Sequence, residues 1–457
     1  MTDINKIKEH IKKVYKAYNR PLVIGYSGGK DSTAMLQIIW EAIEELPFDE
    51  LTQDIHVIST DTLVETPYVI DYVTKSLETI ERSARSKNLP IYAHKLTPLY
   101  KNSFWVNLIG KGYPAPSQNF RWCTERLKIE PVNRFIAESV DRWGEATIVL
   151  GARKSESSSR SQVLSKKVRD QLGLSKHPSL SAAFVFTPIE EMTTDEVWSY
   201  LLTHKSPWGG SNRDLSAMYQ NASGGECPMV VDTSTPSCGN SRFGCWTCTL
   251  VQKDTTMENL IDGGEEWMAP LLEFRDLLSE TQKPGKKSEY RSHKRRNGRV
   301  AFIRNTEKPS HGPYKLEWRR KFLQRLLEIQ QEIRFEGPNP DMTLIAPEEL
   351  ELIREHWREE EWVDSVAEIC REVEGDYYPM ETISGGVFNK GDFELLNQLC
   401  AEEGLPVDLP AKLINQEQRM QGMCRRAGIL NKIDRIFGED WFSDEEMREL
   451  KRRSDAV

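Results

Sequence analysis

No stretch of about 18 consecutive apolar residues occurs in the 457-residue chain, so no membrane span is expected. The first twenty residues, MTDINKIKEHIKKVYKAYNR, lack the apolar core of a signal peptide, and a cytoplasmic protein is the expectation. No internal repeat is visible. Positive charge is in deficit: 61 Lys and Arg stand against 70 Asp and Glu, a net charge of −9. That balance argues against nucleic-acid binding by overall charge and leaves only local patches. Cysteine is sparse, eight in all, and in a reducing compartment such a set does not make a disulfide framework.

What is present falls into three regions. Residues 1–205 alternate strand and helix signals. PLVIGYS, DIHVISTDT, LPIYAHKLT and ATIVLGARKSE read as strands. A helix is expected from Asp31 through Glu45, with others over TPYVIDYVTKSLETIERSARSKN and TTDEVWSYLLTHK. Such alternation predicts an α/β fold, a mostly parallel sheet with helices on both faces. Residues 206–255 are rich in Gly, Ser, Pro, Asn and Cys, which reads as a long loop needing a metal staple. Residues 256–457 are basic, then acidic, and mainly helical. PEELELIREHWREEEWVDSVAEICREVE reads there as one long amphipathic helical stretch.

The stretch VIGYSGGKDSTAML, Val23–Leu36, places Gly28 and Gly29 between a strand and a helix. The unpaired N–H groups of a helix's first turn bind anions, and two glycines allow close approach. Ser27 and Ser32 add hydroxyls. This is not a Walker A loop: Ile24 stands where its first Gly belongs, and Asp31 where Ser or Thr should follow Lys30.

SGGKDS resembles the pyrophosphate loop of the ATP pyrophosphatase family, whose members include adenylating amidotransferases, tRNA thiolases and phosphoadenylyl-sulfate reductases. The resemblance implies an adenine-nucleotide α-hydrolase-like sheet. It implies cleavage of ATP between its α and β phosphates, with Ser27, Gly28, Gly29, Lys30, Asp31 and Ser32 cradling the pyrophosphate. STDTLVETPYV, with Asp61, Thr62, Glu65 and Thr66, is similar to the second-strand motif of the reductase branch. LGARKSESSSR is similar to its G-x-R-x-x-E-S-x-x-R segment. There Gly151 ends a strand, and Arg153 and Arg160 could reach phosphates, or form a surface ion-pair network with Glu156. TPIEEMTTDEVWSYL resembles the segment closing that domain, with Met192 where Trp is usual. Magnesium would neutralise the triphosphate, with Asp31 and Asp61 as its candidate carboxylates. The reductase's C-terminal E-C-G-[IL]-H cysteine motif has no counterpart: no cysteine follows Cys424.

Cys227, Cys238, Cys245 and Cys248 form a C-x10-C-x6-C-x2-C pattern. Four thiolates suit an iron–sulfur cluster or zinc, and unmetallated thiols are the remaining reading. Cys123, in FRWCTERLK, has Arg121, Arg126 and Lys128 nearby. Cationic neighbours favour a thiolate and a persulfide carrier; the alternative is a half-buried structural cysteine. Cys370, Cys400 and Cys424 read as buried free thiols.

The reductase-like domain, this cysteine spacing and the basic, helical C-terminal region together resemble the DndC family, the sulfurtransferases of DNA phosphorothioation. That resemblance implies a [4Fe–4S] cluster on Cys227, Cys238, Cys245 and Cys248, ATP pyrophosphatase activity, and a cysteine desulfurase as sulfur donor. It also implies DndD and DndE-like companions. DNA is then the expected substrate. It would meet the segment Lys283–Arg299, which holds eight Lys or Arg and one acid, helped by Arg304, Lys315, Arg319, Arg320 and Lys321. The bland reading of that segment is a solvated loop. The competing functions are a tRNA thiolase, a sulfonucleotide reductase with an added domain, and an ATP-binding scaffold without catalysis.

Overall fold

The computed structural model describes residues 2–222, 244–303, 310–358, 360–361, 364–375, 390–420, 428–441 and 446. Cys227, Cys238, Arg304 and Cys424 lie outside the described residues. The chain forms two compact units. The first holds residues 1–103 and 116–272, the second residues 104–115 and 273–457.

The first unit is built on a six-stranded sheet: β1 (Leu22–Gly25), β2 (Ile55–Thr60), β3 (Ile91–Leu96), β4 (Ala146–Val149), β5 (Ser175–Lys176) and β6 (Ala183–Phe186), in the order β3-β2-β1-β4-β6-β5. All pairings are parallel except β5 with β6. The short β5–β6 edge was not read from the sequence. The central strand LVIG is apolar and buried throughout, as a strand covered on both faces must be. Its residues alternate. Leu22 and Ile24 join one core with Ile39 and Ile43, and Val23 joins a second core with Val132 and Ile136.

The first core belongs to α1 (Ile4–Ala17), α2 (Lys30–Glu44), α3 (Pro67–Ser86), α6 (Thr194–Thr203) and α7 (Asn212–Ala222), and the second to α4 (Glu130–Trp143). Helices therefore lie on both faces, as predicted. α5 (Ser158–Lys166) follows β4, and α8 (Thr255–Asp262) follows the cysteine loop.

α7 is a departure: it stands inside the stretch read as a loop. Leu215, Met218 and Tyr219, at i, i+3 and i+4, are buried. The Gly, Ser and Asn around them hid that pattern.

The unit boundary falls within α9 (Ala269–Glu280). After the short α10 (Lys287–Tyr290), the second unit packs α11 (Leu316–Glu336), α12 (Pro347–Trp357) and α13 (Ser365–Glu374) with residues 104–115. The indoles of Trp105 and Trp357 donate to the carbonyls of Leu344 and Ile109, at 2.7 and 2.9 Å. The expected long acidic helix is broken between α12 and α13. There Asp364 caps α13 through the amide of Ala367 and also binds Arg354, at 2.8 Å from its Nε. α14 (Lys390–Glu402), α15 (Asp408–Met420) and α16 (Ile429–Phe437) complete the described helices. Cys370 and Cys400 are buried. Among the described residues no helix is long and apolar enough to cross a membrane.

Candidate functional site

The strand order reverses direction between β1 and β4, and ligands of open α/β sheets bind at such a switch point, beyond the carboxyl ends of the strands. The loop after β1 is SGGKDS. Gly28 takes a left-handed φ of +76°, and a Cβ there would lie 2.8 Å from the Val73 side chain. Gly29 is the N-cap of α2. Ser27 and Ser32 tie the loop together: their hydroxyls are 3.1 Å apart, and Ser32 donates to the Gly29 carbonyl at 3.0 Å.

The loop after β4 meets this turn. A Cβ on Gly151 would sit 3.1 Å from the backbone of both Asp31 and Ser32. Only glycine therefore lets the β4 loop lie against the first turn of α2. Two residues on, Arg153 is 1% exposed and its Nε donates to Asp31 Oδ1 at 2.5 Å. Its Nη1 reaches Ser155, Thr194 and the Met192 carbonyl. Lys30 Nζ is 3.2 Å from Asp31 Oδ2. Asp31 thus sits between two cations at the head of α2. Sequence reasoning put Lys30, Asp31, Gly151 and Arg153 in one site but did not foresee this clamp, whose partners are 122 residues apart.

Arg160 lies in the first turn of α5. Its guanidinium pairs with Glu156, one helical turn back, while Glu156 also accepts from the Arg153 amide at 2.9 Å. Asp61 accepts from the Leu63 amide at 2.8 Å and lies 3.6 Å from Lys95 Nζ. Asp31 and Asp61 are both committed to protein partners, and among the described residues no three His, Cys, Asp or Glu gather as a metal site. Magnesium is held by one or two carboxylates together with phosphate oxygens and water, so Asp31 and Asp61 are the carboxylates that would hold one beside a bound triphosphate.

The loop after β2, residues 61–66, holds the cysteine loop. Thr66 donates its amide and its hydroxyl to the Gly244 carbonyl, at 3.1 and 2.8 Å, and the Trp246 amide donates to Val64 at 3.0 Å. Thr62 Oγ1 is 3.3 Å from Cys245 Sγ, and Cys245 donates to Glu65 at 3.6 Å. Lys128 lies 3.8 Å from Glu65. Cys248 returns its amide to the Cys245 carbonyl at 3.2 Å, so CWTC forms one tight turn.

Burial pushes the Cys245 thiol well above its ordinary pKa, and the Glu65 carboxylate adds to the effect. Cys123 caps the wide π-helical turn Thr124–Ile129 and is close enough to feel Cys248. The cationic neighbours were expected to lower its pKa. Instead burial pushes the thiol up to about 12; Cys248 adds to this, and Lys128 offsets it only in part.

Two soft donors on one turn are what half of a four-thiolate site requires. Cys245 and Cys248 fit a [4Fe–4S] cluster in that respect; Cys227 and Cys238 fall outside the described residues. That the second-strand motif seats the cysteine loop was not legible in advance; the signal for it is the run of hydrogen-bonding side chains at Thr62, Glu65 and Thr66.

A family model described as the phosphoadenosine phosphosulfate reductase domain matches residues 21–251, just over half of the chain. Over 198 residues the chain is 29% identical to protein MJ0066 of Methanocaldococcus jannaschii, an alignment covering 43% of this chain and 35% of that protein. The chain thus spans about a third of that relative's length. The U34-tRNA thiolase NcsA from Methanococcus maripaludis, solved with its [4Fe–4S] cluster, matches with a TM-score of 0.29 at 16% identity, over 48% of this chain and 72% of that one. The NH3-dependent NAD synthetase from Campylobacter jejuni matches with a TM-score of 0.27 at 13% identity, over 44% and 74%. Scores this low say nothing of this chain's chemistry.

Proposed function

The chain belongs to the phosphoadenosine phosphosulfate reductase domain family, and we propose that within it this chain is an ATP-dependent sulfurtransferase of DNA phosphorothioation, of the DndC kind. The observation that carries the reading is a shared edge. The phosphate loop follows β1, the seat of the CWTC turn follows β2, and β1 and β2 are neighbours in the sheet. A nucleotide loop and a group of thiols thereby sit on one rim of one unit, which a reaction joining nucleotide activation to sulfur delivery requires.

In this reading a DNA phosphate oxygen attacks the α-phosphorus of ATP, and pyrophosphate leaves. The adenylated oxygen becomes a leaving group, and a sulfur nucleophile displaces AMP from the DNA phosphorus. The chain's task is positioning and charge stabilisation. The amides of Gly29 and the first turn of α2 receive the pyrophosphate. Gly151 keeps the β4 loop out of its way, and Arg153 holds Asp31 in place. Cys245 and Cys248, with Cys227 and Cys238, would hold the [4Fe–4S] cluster, which supplies one-electron chemistry when bound. Cys123, beside Cys248, would carry the persulfide received from a cysteine desulfurase once docking of that donor relieves the burial that holds its thiol protonated, and a thiol reductant would cleave the sulfur–sulfur bond left when the outer sulfur joins phosphorus. DndD and DndE-like proteins would be its companions, DNA its substrate and the cytoplasm its place of work.

The test is made on genomic DNA. It is digested from the source strain with and without the gene, and phosphorothioate-linked dinucleotides are sought by mass spectrometry. They should vanish on deletion and return on complementation. Their absence from the intact strain while the protein is expressed would sink the reading. The family match itself favours one second reading, a sulfonucleotide reductase. Purified protein that releases sulfite from phosphoadenylyl-sulfate with a thiol reductant would establish it.

A further inference from the structure

α7 runs antiparallel to α2 and touches it through two polar clasps, one at each end of a seven-residue span on both helices. Seven residues make about two turns, so both clasps lie on one face of each helix. At one end Asn212 is anchored. Gln37 Nε2 donates to Asn212 Oδ1 at 2.8 Å. Asn212 Nδ2 reaches Gln37 Oε1 at 3.3 Å and the carbonyls of Leu201 and His204 at 2.9 and 3.0 Å. At the other end Tyr219 reaches the head of α2. The Lys30 amide donates to the Tyr219 hydroxyl at 3.2 Å, and the Lys30 ammonium lies 5.2 Å from the centre of the Tyr219 ring. The ring of Trp198 meets that of Tyr219 edge-on at 5.1 Å.

The Lys30 amide is no ordinary donor. Lys30 is the first residue of α2, where helix geometry offers no internal acceptor. It is also one of the N–H groups that a phosphate on this loop would use. In this structure a phenolic oxygen accepts from it. Tyrosine hydroxyl and phosphate oxygen therefore compete for one proton.

We propose that Tyr219 is a ligand-displaced clasp on the phosphate loop. A bound pyrophosphate group takes the Lys30 amide, the Tyr219 hydroxyl lets go, and the C-terminal half of α7 loosens from α2 while Asn212 keeps its N-terminal half in place. The proposal rests on reading residues 27–32 as a phosphate cradle. Its consequence lies in the sequence: Cys227 follows the last residue of α7, Ala222, by five positions, so nucleotide occupancy would be signalled to the segment carrying the first of the four cysteines.

The experiment is hydrogen–deuterium exchange on the full chain, with and without inorganic pyrophosphate, together with calorimetric titration of the wild type and Tyr219→Phe. In the wild type, pyrophosphate should slow exchange at residues 27–33, speed it at residues 216–219 and leave residues 209–213 unchanged. Tyr219→Phe keeps the ring in its core position and removes the competing oxygen. It should bind pyrophosphate about 2- to 10-fold more tightly, the worth of one net hydrogen bond, and show no ligand response in α7. Ligand-induced slowing at 216–219, or unchanged affinity in the variant, would overturn the clasp alone. No binding and no protection at 27–33 in either protein would overturn the cradle reading, and the clasp with it. The wild-type exchange pattern decides the matter even where the variant folds poorly.

Discussion

The pair Arg153–Asp31 shows what single residues can and cannot announce. Each was legible: Arg153 in a motif known for phosphate contact, Asp31 in the loop. Their partnership was not, because it depends on how β4 sits beside β1. Both side chains are almost wholly buried, so removing Arg153 leaves the Asp31 carboxylate with Lys30 beside it but with little solvent to replace the lost guanidinium. Arg153→Met should therefore destabilise the first unit by about 3–5 kcal/mol, read as a lower urea midpoint. Arg153→Lys should recover only part, since an ammonium cannot reproduce the directed guanidinium contacts. A loss below about 1 kcal/mol would mean water reaches the pair. It follows that Asp31→Ala confounds folding with catalysis, and Asp31→Asn is the cleaner probe of pyrophosphate release. Cys123 carries the opposite lesson. Its sequence neighbours are basic, but neighbours along the chain are not the dielectric around a sulfur. With the thiol pushed up to about 12, the thiolate fraction at pH 8 is on the order of one in ten thousand. Iodoacetamide labelling of the metal-free protein, followed by peptide mass spectrometry, should give a Cys123 rate that keeps climbing through pH 10. A plateau near pH 8 would mean an activated thiol.

Elements were legible where period and length agreed. The strands PLVIGYS and DIHVISTDT and the helices after them lie where apolar spacing put them. The break between α12 and α13 was not legible, because the charged residues around Glu360 continue a helical composition, while the stop depends on Asp364 turning to cap α13 and hold Arg354. Strands β2 and β3 hold a further feature that pattern alone cannot show. His56 Nδ1 and His94 Nε2 lie 3.0 Å apart, and both rings meet that of Phe135, His56 edge-on. Burial, then the proximity of His94, lowers the His56 pKa to about 4; burial lowers that of His94 as well. An unfolded chain takes up these protons near pH 6.5, whereas the folded sheet refuses them until lower pH. The pair's contribution is therefore present above about pH 6.5 and is lost as pH falls toward 4. Urea unfolding from pH 7 to 4 should show a decline that His56→Phe makes shallower, by on the order of 2 kcal/mol across that range. Parallel curves for the two proteins would show that the histidines titrate in the folded sheet as they do in water.

At the scale of the whole chain, a net charge of −9 and a candidate DNA-binding segment coexist only if the basic residues of the second unit are free to face a phosphate backbone. The eight cations of Lys283–Arg299 are not equivalent in this respect. Arg291 is spent on the carbonyls of His311 and Gly312, and Lys294 lies 4.4 Å above the ring of Trp441. Arg319, expected among the helpers, is buried: it binds the Gly110 carbonyl at 2.9 Å and pairs with Glu360, while Arg320 pairs with Glu361. A helical pattern cannot tell such an arginine from a surface one, because its long stem suits either setting. Lys283, Lys286, Arg295, Arg296 and Arg299 are exposed, but Lys286 is drawn to Glu280 and Arg296 to the Tyr113 hydroxyl and ring, which leaves Lys283, Arg295 and Arg299. These three, not the whole segment, should carry a backbone contact. Reversing them to Glu should weaken binding of a short duplex and make the dependence of log affinity on log salt shallower by about 2–3, near one per lost phosphate contact. Arg291→Glu should instead lower the unfolding midpoint, since its guanidinium holds two backbone carbonyls. If the triple reversal leaves both affinity and salt slope unchanged, the segment is a solvated loop. The DNA would then have to be met by another surface or brought by a partner protein.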